Sequence, residues 1–208
     1  MATYGGEYSM EAACQSRDIP DLPFKGYLAN NMVVASSTIT KTEYGMGWLK
    51  CTKLVCTALP IAITDASGSC QYGGAKLADF PEGLIIPLGA VLTGTVTLGT
   101  TGTITDTWEG ICSLGTDAAA AANATLTATE ANIIASTAVA AATSKVATLA
   151  AATSATLLTE SGAAWVDGTT TAADLYLNLI VTDSATHTSG TGTFTGTIYL
   201  NWLWCGDK

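Results

Sequence analysis

Thr193-Phe194-Thr195-Gly196-Thr197-Ile198-Tyr199-Leu200-Asn201-Trp202-Leu203-Trp204 places apolar residues or Gly at even positions and mostly polar residues at odd ones, with Leu203 the exception. A repeat of two marks a strand with one face for a core and the other for water or a partner. The pattern returns at Leu84 to Leu98, where even positions read Leu, Ile, Leu, Ala, Leu, Gly, Val, Leu. It returns again at Thr103 to Leu114, with Ile104, Trp108, Cys112 and Leu114 on one parity, and at Leu175, Leu177, Leu179 and Val181. These runs predict an antiparallel all-β protein whose core is carried by strands 84–98, 103–114, 173–182 and 193–204.

A chain of 208 residues suits one β-sandwich or barrel with a substantial core, and is short for two ordinary domains. Only 12% of residues are charged and the net charge is −9, so Thr, Ser, Asn and Gly must cover much of the surface. Eight Lys and Arg in total form no patch able to neutralise phosphates, which excludes nucleic acid as a partner. Residues 1–13 lack the basic start and apolar run of a signal peptide, and no uninterrupted apolar stretch approaches a membrane span. Synthesis in a cytosol without export, with no membrane partner, is expected.

The six cysteines, Cys14, Cys51, Cys56, Cys70, Cys112 and Cys205, are scattered through a chain that does not need staples and read as free thiols, with a bridge such as Cys14 to Cys70 the alternative. Cys51 and Cys56 differ in parity, so on one regular strand they face opposite ways and share neither a bridge nor a metal. No cofactor or metal is expected.

Residues 1–43 read as an extended N-terminal arm and 44–208 as a single β-domain, with 117–162 an Ala/Thr-rich insertion leaving the sandwich as a long ordered excursion. Strands are predicted near 47–58 and 60–64, with Pro60 marking an edge or bulge because it cannot donate to a ladder, and near 74–77. Asp79-Phe80-Pro81-Glu82-Gly83 is a structural turn. Gly99-Thr100-Thr101-Gly102 reads as a hairpin tip, making 84–98 and 103–114 neighbours. The loop 183–192 likewise predicts an antiparallel pair between the last two strands, joined by a long hairpin.

Catalytic constellations are absent from the sequence. A nucleophilic triad needs a histidine, and His187 stands in a loop among Thr186, Thr188 and Ser189 without an elbow motif. Asp65, Asp79, Glu82, Asp106 and Glu109 read as turn-forming and solubilising residues rather than a glycosidase pair. Trp202 and Trp204 share the parity of Ile198 and Leu200 and belong to the core, whereas Trp165, between Gly162 and Gly168, reads as exposed or interfacial.

Three stretches taken together resemble small virion proteins of short-tailed bacteriophages of marine and cyanobacterial type. They are Gln71-Tyr72-Gly73-Gly74-Ala75-Lys76-Leu77-Ala78-Asp79-Phe80-Pro81-Glu82-Gly83, Asp174-Leu175-Tyr176-Leu177-Asn178-Leu179, and Thr195 to Trp202 with Gly206-Asp207. The resemblance implies a head decoration (cement) protein with a jelly-roll sandwich, trimeric on the outer capsid surface of the virion, with the major capsid protein and its own copies as partners. A receptor- or carbohydrate-binding module of a tail fibre or adhesin is the alternative. Contact residues are then sought in the arm, at Tyr4, Tyr8, Pro20, Pro23, Phe24 and Tyr27, whose rings would be poorly used in water, and in the loops at Trp165 and His187.

Overall fold

In the computed structural model the described residues are 31–45, 48–66, 70–99, 107–120, 125–143, 145–152, 166–182 and 189–206. They form eleven strands: β1 (Val33–Val34), β2 (Ile39–Tyr44), β3 (Leu49–Ala66), β4 (Cys70–Asp79), β5 (Gly83–Leu98), β6 (Glu109–Gly115), β7 (Ile134–Thr143), β8 (Val146–Ala152), β9 (Val166–Gly168), β10 (Asp174–Val181) and β11 (Gly190–Trp204), with a single 3₁₀ turn at Ala128–Glu130. Every pairing between them is antiparallel.

The order β4-β10-β6-β7 continues through β8-β5-β11-β3, and β3 pairs back to β4. Two seams divide this circuit. β7 meets β8 only at the tip of their hairpin, Ala141 and Thr143 against Ala147 and Val146, and β3 meets β4 only over Ala62–Ala66. The result is a sandwich of two four-stranded sheets, flanked by β1 beside β4, β2 beside β3 and β9 beside β5. Numbering the eight circuit strands in chain order, one sheet reads first-eighth-third-sixth and the other second-seventh-fourth-fifth, the order of a jelly roll. The protein is an all-β sandwich of jelly-roll type.

This topology corrects two expected pairings. β5 and β6 are not neighbours: β5 lies between β11 and β8, and β6 lies between β10 and β7. β10 and β11 likewise belong to different sheets. Alternation shows which face of a strand is buried but not which strand lies beside it, and in a jelly roll consecutive strands cross from sheet to sheet. Residues 134–152 are no excursion either. They supply β7 and β8, whose Val139, Ala147, Leu149 and Ala151 are buried. The body also begins before residue 44, since Met32 is buried and β1 and β2 are paired into the sheets.

Three strands change phase part-way. In β3, Leu54 and Cys56 are buried, then Leu59, Ile61 and Ile63, because Thr57 and Ala58 together stand opposite Thr195. Ala58 takes a positive φ of 50° there, and its N–H donates to Thr195 Oγ1 at 3.0 Å. One extra residue in a strand of period two exchanges its faces. The expected break at Pro60 is therefore a bulge within one continuous strand. In β5 the extra residue is Leu88: Ile85 is buried before it, and Ala90, Leu92, Val96 and Leu98 after it. The single even parity expected from Leu84 to Leu98 thus holds only beyond the bulge. β4 shifts at Leu77 and Ala78, both buried.

Pro60 and Pro87 sit where a strand changes its second neighbour. β2 pairs β3 up to Cys56 and β4 pairs it from Ala62. β9 pairs β5 up to Ile85 and β8 from Val91. A missing N–H is tolerated in such gaps.

Between the sheets the core joins Leu54, Leu77, Phe80, Ile85, Leu92, Leu114, Leu177, Phe194, Ile198 and Trp202. Phe194 covers the facing pair Gly94 and Gly196, where a Cβ on either would come within 2.6 Å of its ring. Trp202 meets Phe80 edge to face, with centroids 5.6 Å apart and planes at 78°, and its indole N–H donates to the buried Thr52 hydroxyl at 2.9 Å. Trp202→Asp places an uncompensated charge at this point and is expected to abolish cooperative folding, a loss of more than about 4 kcal/mol. Trp202→Phe, which leaves Thr52 without that donor, is expected to cost about 1–3 kcal/mol in chemical denaturation. An unchanged melting temperature in the Asp variant would place Trp202 outside the core.

Candidate functional site

The three sequence stretches that carry the resemblance converge in space. β4 pairs with β10 along Asp79–Asp174 to Gln71–Val181, and the turn after β4 packs on the end of β11. Phe80 is buried, and its N–H donates to Ala173 O at 2.8 Å. The Glu82 carbonyl accepts the Trp204 indole N–H at 2.8 Å. Gly83 has φ +120°, and a Cβ there would lie 2.6 Å from Trp204 Nε1, so both conformation and space require glycine. Asp79 closes the turn through Lys76 Nζ at 2.5 Å, which also reaches Asp174 Oδ1 at 3.0 Å. Asp79, Phe80, Glu82 and Gly83 of this turn thus each make a contact that holds it in place.

The Tyr176 hydroxyl donates to Asp174 Oδ2 at 2.9 Å. Burial alone would raise the Asp174 carboxyl, but its contacts with Asp79, Lys76 and Tyr176 outweigh burial and hold it below its ordinary value. The hydrogen bond with Asp79, opposed by burial and aided by Asp174, pushes the Lys76 ammonium upward. A carboxyl whose pKa is lower folded than unfolded contributes stability above its ordinary value of 3.8 that is lost as pH falls through the folded value. These groups are about one-third exposed, so the contribution is about 1 kcal/mol or less. Asp174→Asn is therefore expected to flatten the fall of melting temperature below pH 4, with little change at pH 7 in high salt.

The two outer faces of the sandwich differ. Residues 116–120 and 125–133 lie over the β4-β10-β6 side. Buried Asn178 pins them, accepting from Ala119 N–H and donating to the Asp117 and Glu130 carbonyls, each at 2.8 Å. Cys70, Ala119, Leu126 and Ile180 make a second small core beneath, with Tyr72 and Ile111 against it. The opposite outer face, on β2-β3-β11-β5-β8, has no such cover among the described residues. It carries Tyr44 at 57% exposure, Leu49 at 45%, Val91 at 44% and Tyr199 at 41%. The register sets Leu203 between Leu49 and Ile86, and Tyr199 between Lys53 and Val91. Lys53 Nζ stands 5.7 Å from the Tyr199 ring centroid. Beyond this apolar end the same face becomes a hydroxyl lattice, with Thr193, Thr195 and Thr197 opposite Thr97, Thr95 and Thr93.

Chain entry lies beside the apolar end. Asn31 Oδ1 accepts from Lys50 Nζ at 3.0 Å. Met32 N–H donates to Glu43 Oε1 at 3.4 Å, and Lys41 Nζ donates to the Met32 carbonyl and to Glu43 Oε2. Thr52 donates to Glu43 Oε1 at 3.3 Å, which connects this root to Trp202.

Of the predicted contact residues, Tyr4, Tyr8, Pro20, Pro23, Phe24, Tyr27, Trp165 and His187 lie outside the described residues. The exposed set Tyr44, Trp48, Leu49, Val91 and Tyr199 escaped the sequence reading. Leu203, the apolar residue on the polar parity of β11, was the signal for it.

A polar recess of about 420 Å³ opens between Thr116–Asn132 and Val166–Asp174. Thr116 and Asn132 are bonded to each other twice, Asp167 to Thr169 and Asp174 to Lys76 and Tyr176, so most of its side-chain polar groups are spent. Among the described residues no group of three or more His, Cys, Asp or Glu is placed to hold a metal.

Burial pushes the Cys56 thiol up to about 11 and Cys112 up to about 12, and raises Cys70. The thiolate is the reactive form. Among the cysteines of the described residues, maleimide labelling of native protein with peptide mapping is therefore expected to mark exposed Cys205 first and half-buried Cys51 more slowly, with Cys56, Cys70 and Cys112 modified only after denaturation.

No protein family, curated protein or solved structure matches this chain.

Proposed function

We propose that this protein is a virion structural protein, a decoration or cement protein that binds the outer face of a bacteriophage head as a homotrimer and braces junctions between major capsid protein subunits. The observation that carries this reading is the inequality of the two outer faces: one is covered by the chain's own residues 116–120 and 125–133, the other exposes apolar side chains at one end and rows of threonine beyond. Large apolar patches left open on an otherwise well-packed body mark protein contacts. A rigid oligomer that touches several capsid subunits resists their separation, because each contact after the first is intramolecular. The jelly-roll order and the sequence resemblance support the same class, although a fold alone does not specify a role.

Exposed Tyr44, Trp48 and Tyr199 favour the second reading, a carbohydrate-binding module. Aliphatic Leu49 and Val91 interrupt the aromatic surface, and Lys53 stands over one face of Tyr199, which suits a protein partner better than a stacked sugar. Quantitative mass spectrometry of particles that carry the protein is expected to give on the order of hundreds of copies each, as a symmetric shell requires. A count near a dozen, together with saturable binding to host glycans, would move the protein to a tail fibre.

A further inference from the structure

We propose that the apolar end of the β2-β3-β11-β5 outer face is the seat for residues 1–30 of a second copy of this chain, so that the oligomer is held by exchanged arms. The inference rests on the homotrimer in the reading above and adds the surface and its occupant.

Three observations carry it. Tyr44, Leu49, Val91 and Tyr199 are each more than two-fifths exposed on this face, and half-buried Leu203 lies between Leu49 and Ile86 on it. The chain preceding this patch supplies the matching chemistry: Tyr4, Tyr8, Ile19, Leu22, Phe24, Tyr27 and Leu28, with Glu7, Glu11, Asp18 and Asp21 against only Arg17 and Lys25. Those acidic groups complement Lys53, the cation set among the exposed rings. Finally, the root of the arm is anchored at the same end of β3 as Leu49 but on its inner side, with Asn31 held by buried Lys50.

The root also argues for exchange. Met32 is buried and is held by Lys41 and Glu43, which share the inward parity of Ile39, whereas the patch lies on the outward side of the same sheet. A chain covering its own patch would have to reverse around edge strand β2. Thirty extended residues span up to about 100 Å, well beyond a body about 40 Å across, so the arm reaches a neighbour.

The test compares intact protein, protein lacking residues 1–30, and full-length Leu49→Asp by light scattering after size exclusion, with circular dichroism and melting curves as folding controls. Among the described residues the core begins at Met32 and the strands at Val33, and the truncated body is expected to keep its spectrum. Intact protein is expected to be multimeric and both variants monomeric. A synthetic peptide of residues 1–30 is expected to bind the truncated body and to bind its Leu49→Asp form at least about tenfold more weakly. Monomeric intact protein, a multimer that survives truncation, or a multimer that survives Leu49→Asp would each overturn arm exchange at this seat. If particles nevertheless carry hundreds of copies, the decoration reading stands and only the exchanged arm is lost.

Discussion

Trp202 ties together parts of the molecule that are far apart in sequence. Its ring packs edge-on against Phe80 in the turn between the sheets, and its indole N–H reaches Thr52 on the neighbouring strand. Thr52 in turn bonds Glu43, and Glu43 binds Lys41 and Met32 at the root of the N-terminal segment. A buried aromatic with one satisfied polar atom contributes packing and direction at once. The two sheets, the turn that connects them and the point where the chain enters the body are thereby fixed relative to one another.

That arrangement explains why the faces can be so unequal. With the core and its polar branch satisfied internally, nothing in the sandwich requires the outer residues of β3, β5 and β11 to be covered. Residues 116–120 and 125–133 cover the other side because Asn178, buried in mid-strand, needs the partners that Asp117, Ala119 and Glu130 provide. The bulges complete the division. Had β3 kept a single phase, Leu59, Ile61 and Ile63 would have faced outward with Cys51.

The sequence made the fold class legible because β11 keeps one phase over fifteen residues, and because Trp202, Ile198 and Phe194 mark its inner side without ambiguity. The Asp79–Gly83 turn was legible for a similar reason: Pro and Gly restrict it locally, and no distant partner is needed to recognise it. Strand order was not legible, since β5 and β6, or β10 and β11, are joined by connections whose length does not reveal that they cross between sheets. β7 and β8 were missed because Ala and Thr are compatible with helix, loop or strand until Val139, Ala147 and Leu149 find a core to enter. The exposed patch was hidden by the bulges at Ala58 and Leu88, which move apolar residues between faces without changing the local composition.

β11, the last of the described strands, is also a central one, paired with β3 on one side and β5 on the other. β3 and β5 are therefore synthesised well before the neighbour that joins them. Closure must wait for contacts between residues 148 positions apart, such as Thr52 and Leu200, and such long-range pairing makes folding slow. During that interval unpaired strand edges are open to association with other chains. For a protein that would assemble with copies of itself, the low charge of the chain makes crowding during synthesis a hazard, so the timing of release becomes part of how the assembly is made.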